Sequence, residues 1–297
     1  MVISGTAKLD YKMQYLVIRT AEQVQRIHLS EIAVVVIEST AVSLTAYLLC
    51  EMANRKINII FCDQKRNPHG VYLPLYGSHN TSQKVRSQFN WTAEAKADIW
   101  QAVVKRKILG QASVLKHVDH PKEELMLKSY IQQVEPGDVT NREGHAAKVY
   151  FNALFGMDFT RTDKDNTINA ELNYGYAILL SSISREIASC GYITQIGINH
   201  NNMFNEFNLA CDLMEPFRPF VDMTVLRMEH KHFSKEQKIQ LIDFLNKQVL
   251  INGKEQFLQN AIKEYTKSIL DAIDIGSSSI IKFPEYELSI YESNRVL

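Results

Sequence analysis

Cysteine is scarce: the 297 residues hold four. They form no CxxC pair and no regular framework, which excludes a disulfide-stapled scaffold. Cys50, Cys62, Cys190 and Cys211 each stand among apolar neighbours and are expected as reduced core thiols. Net charge is missing too, because 33 Lys and Arg balance 33 Asp and Glu. Nothing global therefore announces a nucleic-acid or membrane partner, and any basic surface has to be local. No window approaches eighteen uninterrupted apolar residues, so no membrane span is expected. The opening MVISGTAKLDYKMQYL lacks both the apolar core of a signal peptide and an Arg-rich transit pattern, which points to a cytoplasmic protein. GxGxxG, GxxxxGK[ST], GxSxG and HExxH are all absent. Dinucleotide, P-loop, α/β-hydrolase and zincin chemistries have no foothold. Internal repeats and low-complexity tracts are absent as well.

What is present is enough chain for one large or two ordinary domains, at roughly 100–200 residues each. Hydrophobic residues make up 45% and charged residues 22%, so a sizeable core can be buried. Up to about residue 76 the sequence reads mainly as strands: VISGTAKL, MQYLVIRT and QVQRIHL are short and β-branched, with partial alternation. IAVVVIES at 32–39 is continuously apolar, as in a strand covered on both faces. One helix is expected around Ser43–Asn54, followed by strand INIIFC at 57–62. Polar, turn-prone residues follow, punctuated by Gly70, Pro74 and Gly77.

From about residue 91 the apolar period becomes 3.6. Trp100, Val103, Val104 and Ile108 share a helical face, as do Leu127, Tyr130, Ile131 and Val134. A longer stripe runs Leu172, Tyr176, Leu179, Leu180, Ile183 and Ile187, with Gly191 as its C-cap. Another joins Leu258, Ala261, Ile262, Tyr265 and Ile269, and Ser234 with Gln237 reads as a capping box. These periods predict an α+β protein. A β-sandwich-like domain over residues 1–78 is followed by a linker at 79–90 and a larger all-α domain at 91–297. After Asp274 the pattern fades into an irregular or docking tail.

The informative residues are polar ones on apolar faces. In REGHAAKVYFNALFG, Glu143 heads a stripe with Ala146, Ala147, Tyr150 and Leu154. A buried carboxylate must find a partner, and Thr140-x-x-Glu143 offers one as a capping box. Further on, Asn208, Asp212 and Glu215 are spaced to share one side of a helix. Two stacked carboxylates repel unless a cation lies between them, although a solvated face with Arg218 as counter-charge accounts for them equally well. Pro216 should disturb the helix after Glu215. On one straight helix His200 and Glu215 would be roughly 22 Å apart. Shared ligation requires the chain to fold back, and the asparagines at 199, 201, 202, 205 and 208 favour turns and caps there. If Asn208 caps the helix, His200 lies in a loop free to return. A His with two carboxylates suits Mg²⁺ or Mn²⁺. His230-Lys231-His232 reads as a solvated helix approach. Residues 84–128 hold nine Lys or Arg against five Asp or Glu, enough to track a phosphate backbone or merely to face solvent.

Taken together, REGHAAKVYF, the run NAELNYGYAILL at Asn169–Leu180, and H-x14-E ending in DLMEPFRPFVD resemble the CRISPR-associated integrase that captures new spacers. The stretch GVYLPLYGSHNTSQKVRSQF looks most like the branch beside single-effector, type II systems. The resemblance implies an N-terminal β domain that mediates homodimerisation and a helical domain with one divalent-metal site, Mg²⁺ or Mn²⁺. Its ligands fall on Glu143, His200 and Glu215, and Asp212 matches a supporting acidic position. Many relatives continue the helix where this chain has Pro216. Because the family explains all three oddly placed residues together, it displaces the capping-box reading of Glu143. It further implies a smaller adaptation subunit whose dimer bridges two dimers of this chain into a heterohexamer. Double-stranded DNA would be its substrate, both as captured fragment and as CRISPR repeat. Two rival readings are a metal-dependent nuclease acting on branched DNA and a non-catalytic DNA-binding scaffold in which Glu143 is only a cap.

Overall fold

Alternating β-branched residues at the start of the chain build two four-stranded sheets in the computed structural model, which describes residues 1–72, 78–287 and 291. The chain divides into two units. One is Met1–Thr81 with Ala188–Tyr192, and the other is Ser82–Ile187 with Ile193–Leu297.

In the first unit, β1 (Val2–Ile3), β2 (Ala7–Lys12), β3 (Tyr15–Arg19), β4 (Val24–His28), β5 (Val34–Ile37), β6 (Val42–Leu44), helix α1 (Ala46–Asn54), β7 (Asn58–Cys62) and β8 (Pro68–Tyr72) follow in order. The sheets run β4-β3-β2-β6 and β1-β5-β7-β8. Leu9, Leu16 and Ile18 of the first share one core with Val35, Ile37 and Ile59 of the second and Leu48 and Met52 of α1. β5 is buried along its whole length, as its unbroken apolar run requires. VISGTAKL does not form one strand: the chain turns after Ile3 and gives β1 to one sheet and β2 to the other. The helix expected from Ser43 begins later, because β6 takes Ser43 and Leu44, and Thr45 then caps α1 by accepting from the Leu48 N–H at 3.3 Å. β8 falls where only turns were expected. Pro74 and Gly77 lie outside the described residues.

In the second unit, α2 (Thr81–Phe89) lies within the stretch 79–90 that was expected as a linker. It is followed by α3 (Ala93–His117), α4 (Pro121–Ile131), α5 (Arg142–Phe155), α6 (Thr167–Ser189), α7 (Asn208–Met214), α8 (Arg218–Leu226) and α9 (Lys235–Asp243). A small sheet of β9 (Gln248–Ile251), β10 (Lys254–Phe257) and β11 (Pro284–Glu285) interrupts the helical pattern around α10 (Leu258–Ile275). The unit is thus largely, not wholly, helical. Trp100, Val103, Val104 and Ile108 are buried, as are Leu172, Tyr176, Leu179, Ile183 and Ile187, while Leu180 is only half-buried. Gly191 follows α6 at φ 87°, a conformation that suits glycine and closes the helix as expected. The capping box of Ser234 and Gln237 opens α9. The four cysteines are in the thiol form; Cys62 is buried, Cys190 and Cys211 are half-buried, and Cys50 is exposed on α1 rather than in the core. Among the described residues no helix is long and apolar enough to cross a membrane.

Candidate active site

Three backbone segments of the helical unit present the polar residues singled out above, and α3 touches each of them. The first is the start of α5. Gly137, Asp138 and Asn141 all have positive φ, and this turns the chain sharply into the helix. Asn141, not Thr140, is the N-cap, accepting from the Gly144 N–H at 3.2 Å. The Asp138 carboxylate accepts from the N–H groups of Arg142 and Glu143 at 2.8 and 3.0 Å. With those amides satisfied, the Glu143 side chain is not needed as a cap. It turns instead to Lys107 of α3, whose Nζ donates to Glu143 Oε1 at 2.6 Å. The expected Thr140–Glu143 box is therefore not formed.

The second segment is the loop between α6 and α7. Gln88 of α2, fully buried, donates to the carbonyls of Ile193 and Ile196 at 2.8 Å each and accepts from the Ile193 N–H at 3.1 Å. Asn208 is the first residue of α7 rather than its cap. Its amide nitrogen donates to the carbonyls of Gln195 and Asn202 at 3.0 Å each, and its oxygen accepts from the Asn202 N–H. The loop so pinned doubles back onto α7, as shared action of His200 and Glu215 requires. There Asp212, which has no exposed surface, accepts from the backbone N–H groups of Ile198, Asn199 and His200 at 2.6, 3.1 and 3.0 Å. His200 Nδ1 lies 2.6 Å from Asp212 Oδ1, leaving Nε2 as the ring's other nitrogen. Gly197 is needed for this close approach, since a Cβ there would lie 2.3 Å from the His200 carbonyl oxygen and 2.7 Å from Asp212 Oδ2. Trp100 of α3 meets the His200 ring edge-on, with centroids 5.9 Å apart. The hydrogen bond to Asp212 raises the His200 pKa against the opposing effect of burial, and the charges of Glu215 and Glu143 add to the rise.

The third segment is the turn after α7. Pro216 cannot continue the α-helical hydrogen-bond ladder, and Glu215–Phe217 tighten into a 3₁₀ turn before α8 begins. Glu215 sits in that turn, 2% exposed. Its Oε1 accepts from Arg218 Nε at 2.9 Å, and its enclosed Oε2 lies 2.5 Å from Lys107 Nζ in an ion-pair contact that lacks hydrogen-bond geometry. Burial alone would raise the Glu215 pKa, but Arg218 and Lys107 outweigh it and hold the carboxyl below its ordinary value. Burial likewise pulls the Lys107 ammonium down, and Glu215 and Glu143 more than reverse it.

The site is thus two adjoining pairs. Glu143 and Glu215, from separate elements, meet around Lys107; His200 is gripped by Asp212. Among the described residues no three His, Cys, Asp or Glu side chains already converge as a ligand group. The groups that could hold a hard divalent cation are Glu143, Glu215 Oε2 and His200 Nε2. Lys107 escaped the sequence analysis, hidden in the basic excess of residues 84–128. The available signal was its place four residues after Val103 and seven after Trp100, on the buried face of α3. Part of the basic excess is spent internally: Lys84 pairs with Asp274, Lys128 with Glu124, and Arg106 donates to the Pro284 carbonyl. Of the stretch His230–His232, Lys231 and His232 are exposed as expected, whereas His230 is half-buried with its Nδ1 2.7 Å from the buried Glu171 carboxylate.

Fold and site define a two-unit α+β protein whose helical unit carries an acidic pair, a clamped histidine and a bridging lysine. The chain belongs to the Cas1 family, whose sequence profile, described as CRISPR associated protein Cas1, matches residues 1–266. The CRISPR-associated endonuclease Cas1 of Neisseria meningitidis serogroup C (strain 8013) is 32% identical over 290 residues, covering 96% of this chain and 95% of the relative. Among solved structures, a casposase bound to integration product matches with a TM-score of 0.76 at 20% identity, over 98% of this chain and 93% of that one. A chain of a Cas6-RT-Cas1–Cas2 complex matches with a TM-score of 0.70 at 21% identity, over 94% of this chain and 35% of that one. At those identities the structural matches establish the fold.

Proposed function

We propose that the chain is a divalent-metal-dependent DNA integrase of CRISPR adaptation, joining the 3′-hydroxyl ends of captured DNA to the CRISPR repeat. The observation that carries this reading is the convergence of Glu143 and Glu215 on one enclosed cation position, occupied by the Lys107 ammonium. Two carboxylates and an imidazole nitrogen fit Mg²⁺ or Mn²⁺ by donor type. Such an ion, when bound, would make the attacking hydroxyl a better nucleophile and stabilise charge at the phosphorus. Glu143, Glu215 and His200 would hold it. Asp212 fixes the His200 tautomer and ring orientation through Nδ1, so that Nε2 is the free donor. Arg218 keeps Glu215 Oε1 engaged and thereby aims Oε2. In the reaction a bond forms between the incoming 3′-oxygen and the target phosphorus. The bond from that phosphorus to the 3′-oxygen of the target strand breaks, and the proton lost by the attacking hydroxyl is balanced by one taken up by the released hydroxyl.

The chain would act in the cytoplasm as a homodimer within a heterohexamer containing a smaller adaptation subunit. The Cas1–Cas2 complex among the structural matches supports that partner. The name of the Neisseria relative, an endonuclease, favours a second use of the same site, in which water replaces the 3′-hydroxyl and branched DNA is cut. The scaffold reading loses its ground, because Asn141 and Asp138 cap α5 and the Glu143 side chain does not.

Strand transfer of a short duplex with free 3′ ends into a plasmid carrying leader and repeat tests this, run with the smaller subunit and Mn²⁺. Wild type should join the strands, and both Glu143→Gln and His200→Ala should lose joining by at least a hundredfold. Joining that survives Glu143→Gln sinks the metal site. Cutting without joining, independent of the smaller subunit, moves the nuclease reading ahead.

A further inference from the structure

Lys107 is an unusual residue to find on the buried face of α3. Its side chain is 10% exposed, and the ammonium it carries stands 2.6 Å from Glu143 Oε1 and 2.5 Å from Glu215 Oε2. A buried lysine needs compensating charge, and here that charge is the pair of carboxylates credited above with holding a divalent ion. The contacts are only about half an ångström longer than the roughly 2.0–2.1 Å of a Mg²⁺–oxygen bond. The ammonium and the ion therefore require the same space. Arg218 already engages the other oxygen of Glu215, so Oε2 is available to an ion only if Lys107 leaves it.

Charge counting leads to the same conclusion. Without an ion, two carboxylates face two cations, Lys107 and Arg218, and the pocket is balanced. With a divalent ion on the carboxylates, Lys107 becomes a surplus positive charge beside it. Removing Lys107 from a metal-free site would instead leave Glu143 and Glu215 facing each other with only Arg218, on the far oxygen of Glu215, to offset them, and two like charges held close are costly.

We propose that Lys107 is a place-holding cation of this site: it keeps the two carboxylates together in the metal-free protein and must be displaced for the metal to bind. The inference rests on the metal-site reading above and adds to it a lysine that competes with the ion. It predicts opposite effects of one substitution, tighter metal binding and a less stable metal-free protein. A lysine that merely packs would lower stability without tightening binding.

The test is Mn²⁺ binding by the full chain, followed by the loss of the free-ion paramagnetic resonance signal, together with thermal unfolding with and without Mn²⁺. Four proteins are compared: wild type, Lys107→Gln, Lys107→Arg and Glu143→Gln. Lys107→Gln should bind Mn²⁺ at least tenfold more tightly, and should unfold several degrees earlier without the ion but not with it. Lys107→Arg, which keeps the charge, should stay within about threefold of wild type. If Lys107→Gln folds only when Mn²⁺ is present, the proposal is supported in its strongest form; if it does not fold even then, the proposal is overturned. It is also overturned if Lys107→Gln binds Mn²⁺ no more tightly than wild type while Glu143→Gln has lost binding. If wild type fails to bind Mn²⁺, or Glu143→Gln binds it as well as wild type does, the metal-site reading itself has failed.

Discussion

Asp212 shows how one side chain can organise a loop and a ring at once. Its carboxylate accepts three consecutive backbone N–H groups and still reaches His200 Nδ1. It thus fixes the path of the loop and the orientation of the ring together. Spacing exposed Asp212 and Glu215 as an i, i+3 pair, but it could not show that they face different partners, because the loop returns from a point distant in sequence. Glu143, His200 and Glu215 were legible as polar residues in apolar company. Lys107 was passed over, since the basic run around it masked its place on the buried face of α3. A neighbouring buried acid shows its effect through pH. Asp222 is pushed up to about 6, chiefly by burial, against the hydroxyl of Tyr176 that donates to it and the charge of Arg218. Its ordinary value, and so its unfolded one, is 3.8. Between those values the folded chain keeps a proton that the unfolded chain releases, so stability falls as pH rises and the loss is complete above about 6. Asp222→Asn should remove that slope. The variant's stability relative to wild type, measured by denaturant melts, should improve by on the order of 3 kcal/mol from pH 4 to pH 7. A constant difference across that range would contradict the assignment.

At the scale of elements, caps decide where the side chains go. Ser234 and Gln237 form the box that their spacing announces. Thr140 and Glu143 have the same spacing and do not, because left-handed residues at 137, 138 and 141 bring Asp138 and Asn141 to the amides first. A three-residue spacing is a pattern of identity, whereas φ is a property of the turn that precedes it. β8 was missed for a similar reason. PHGVY has the proline and glycine of a loop, but the strand lies at the edge of its sheet, where a proline is tolerated, beside a register shift at Phe61 and Cys62. The two caps make a matched pair for experiment. Asp138→Ala should cost about 1–2 kcal/mol and also weaken Mn²⁺ binding severalfold, because it frees the turn that carries Glu143. Ser234→Ala should cost about 1 kcal/mol and leave binding unchanged. Equal effects of the two on Mn²⁺ affinity would show that the Asp138 cap does not position Glu143.

For the whole molecule, the two-part plan was plain in the change of apolar period near residue 91, because periods of 2 and 3.6 report the neighbours each stretch must bury against. The tail was not, since its docking depends on one aromatic at a time rather than on a repeat. The family profile ends at residue 266, yet the helical unit is completed beyond it. Tyr286 takes the space that a Cβ on Gly110 would fill, 2.5 Å from its ring, and its hydroxyl shares its one proton between the carbonyls of Arg106 and Pro216, at 3.0 and 2.7 Å. Phe283 packs on Tyr265, Tyr291 packs on Phe220, and β11 adds a strand to β9. Tyr291 is fully buried, Phe283 and Tyr286 partly so. At about 1.5–3 kcal/mol for each fully buried aromatic, a chain ending at Gly276 should lose on the order of 5 kcal/mol. At 2–4 °C per kcal/mol, that corresponds to a fall of roughly 10–20 °C in Tm. Because Tyr286 is bonded to the carbonyl of the residue after Glu215, the shortened chain should also bind Mn²⁺ more weakly. Tyr286→Phe keeps the ring but loses both hydrogen bonds, so it should reproduce the binding loss with little of the Tm loss. A shortened chain that melts and binds Mn²⁺ like wild type would mean that the tail lies on the helical unit without supporting its site.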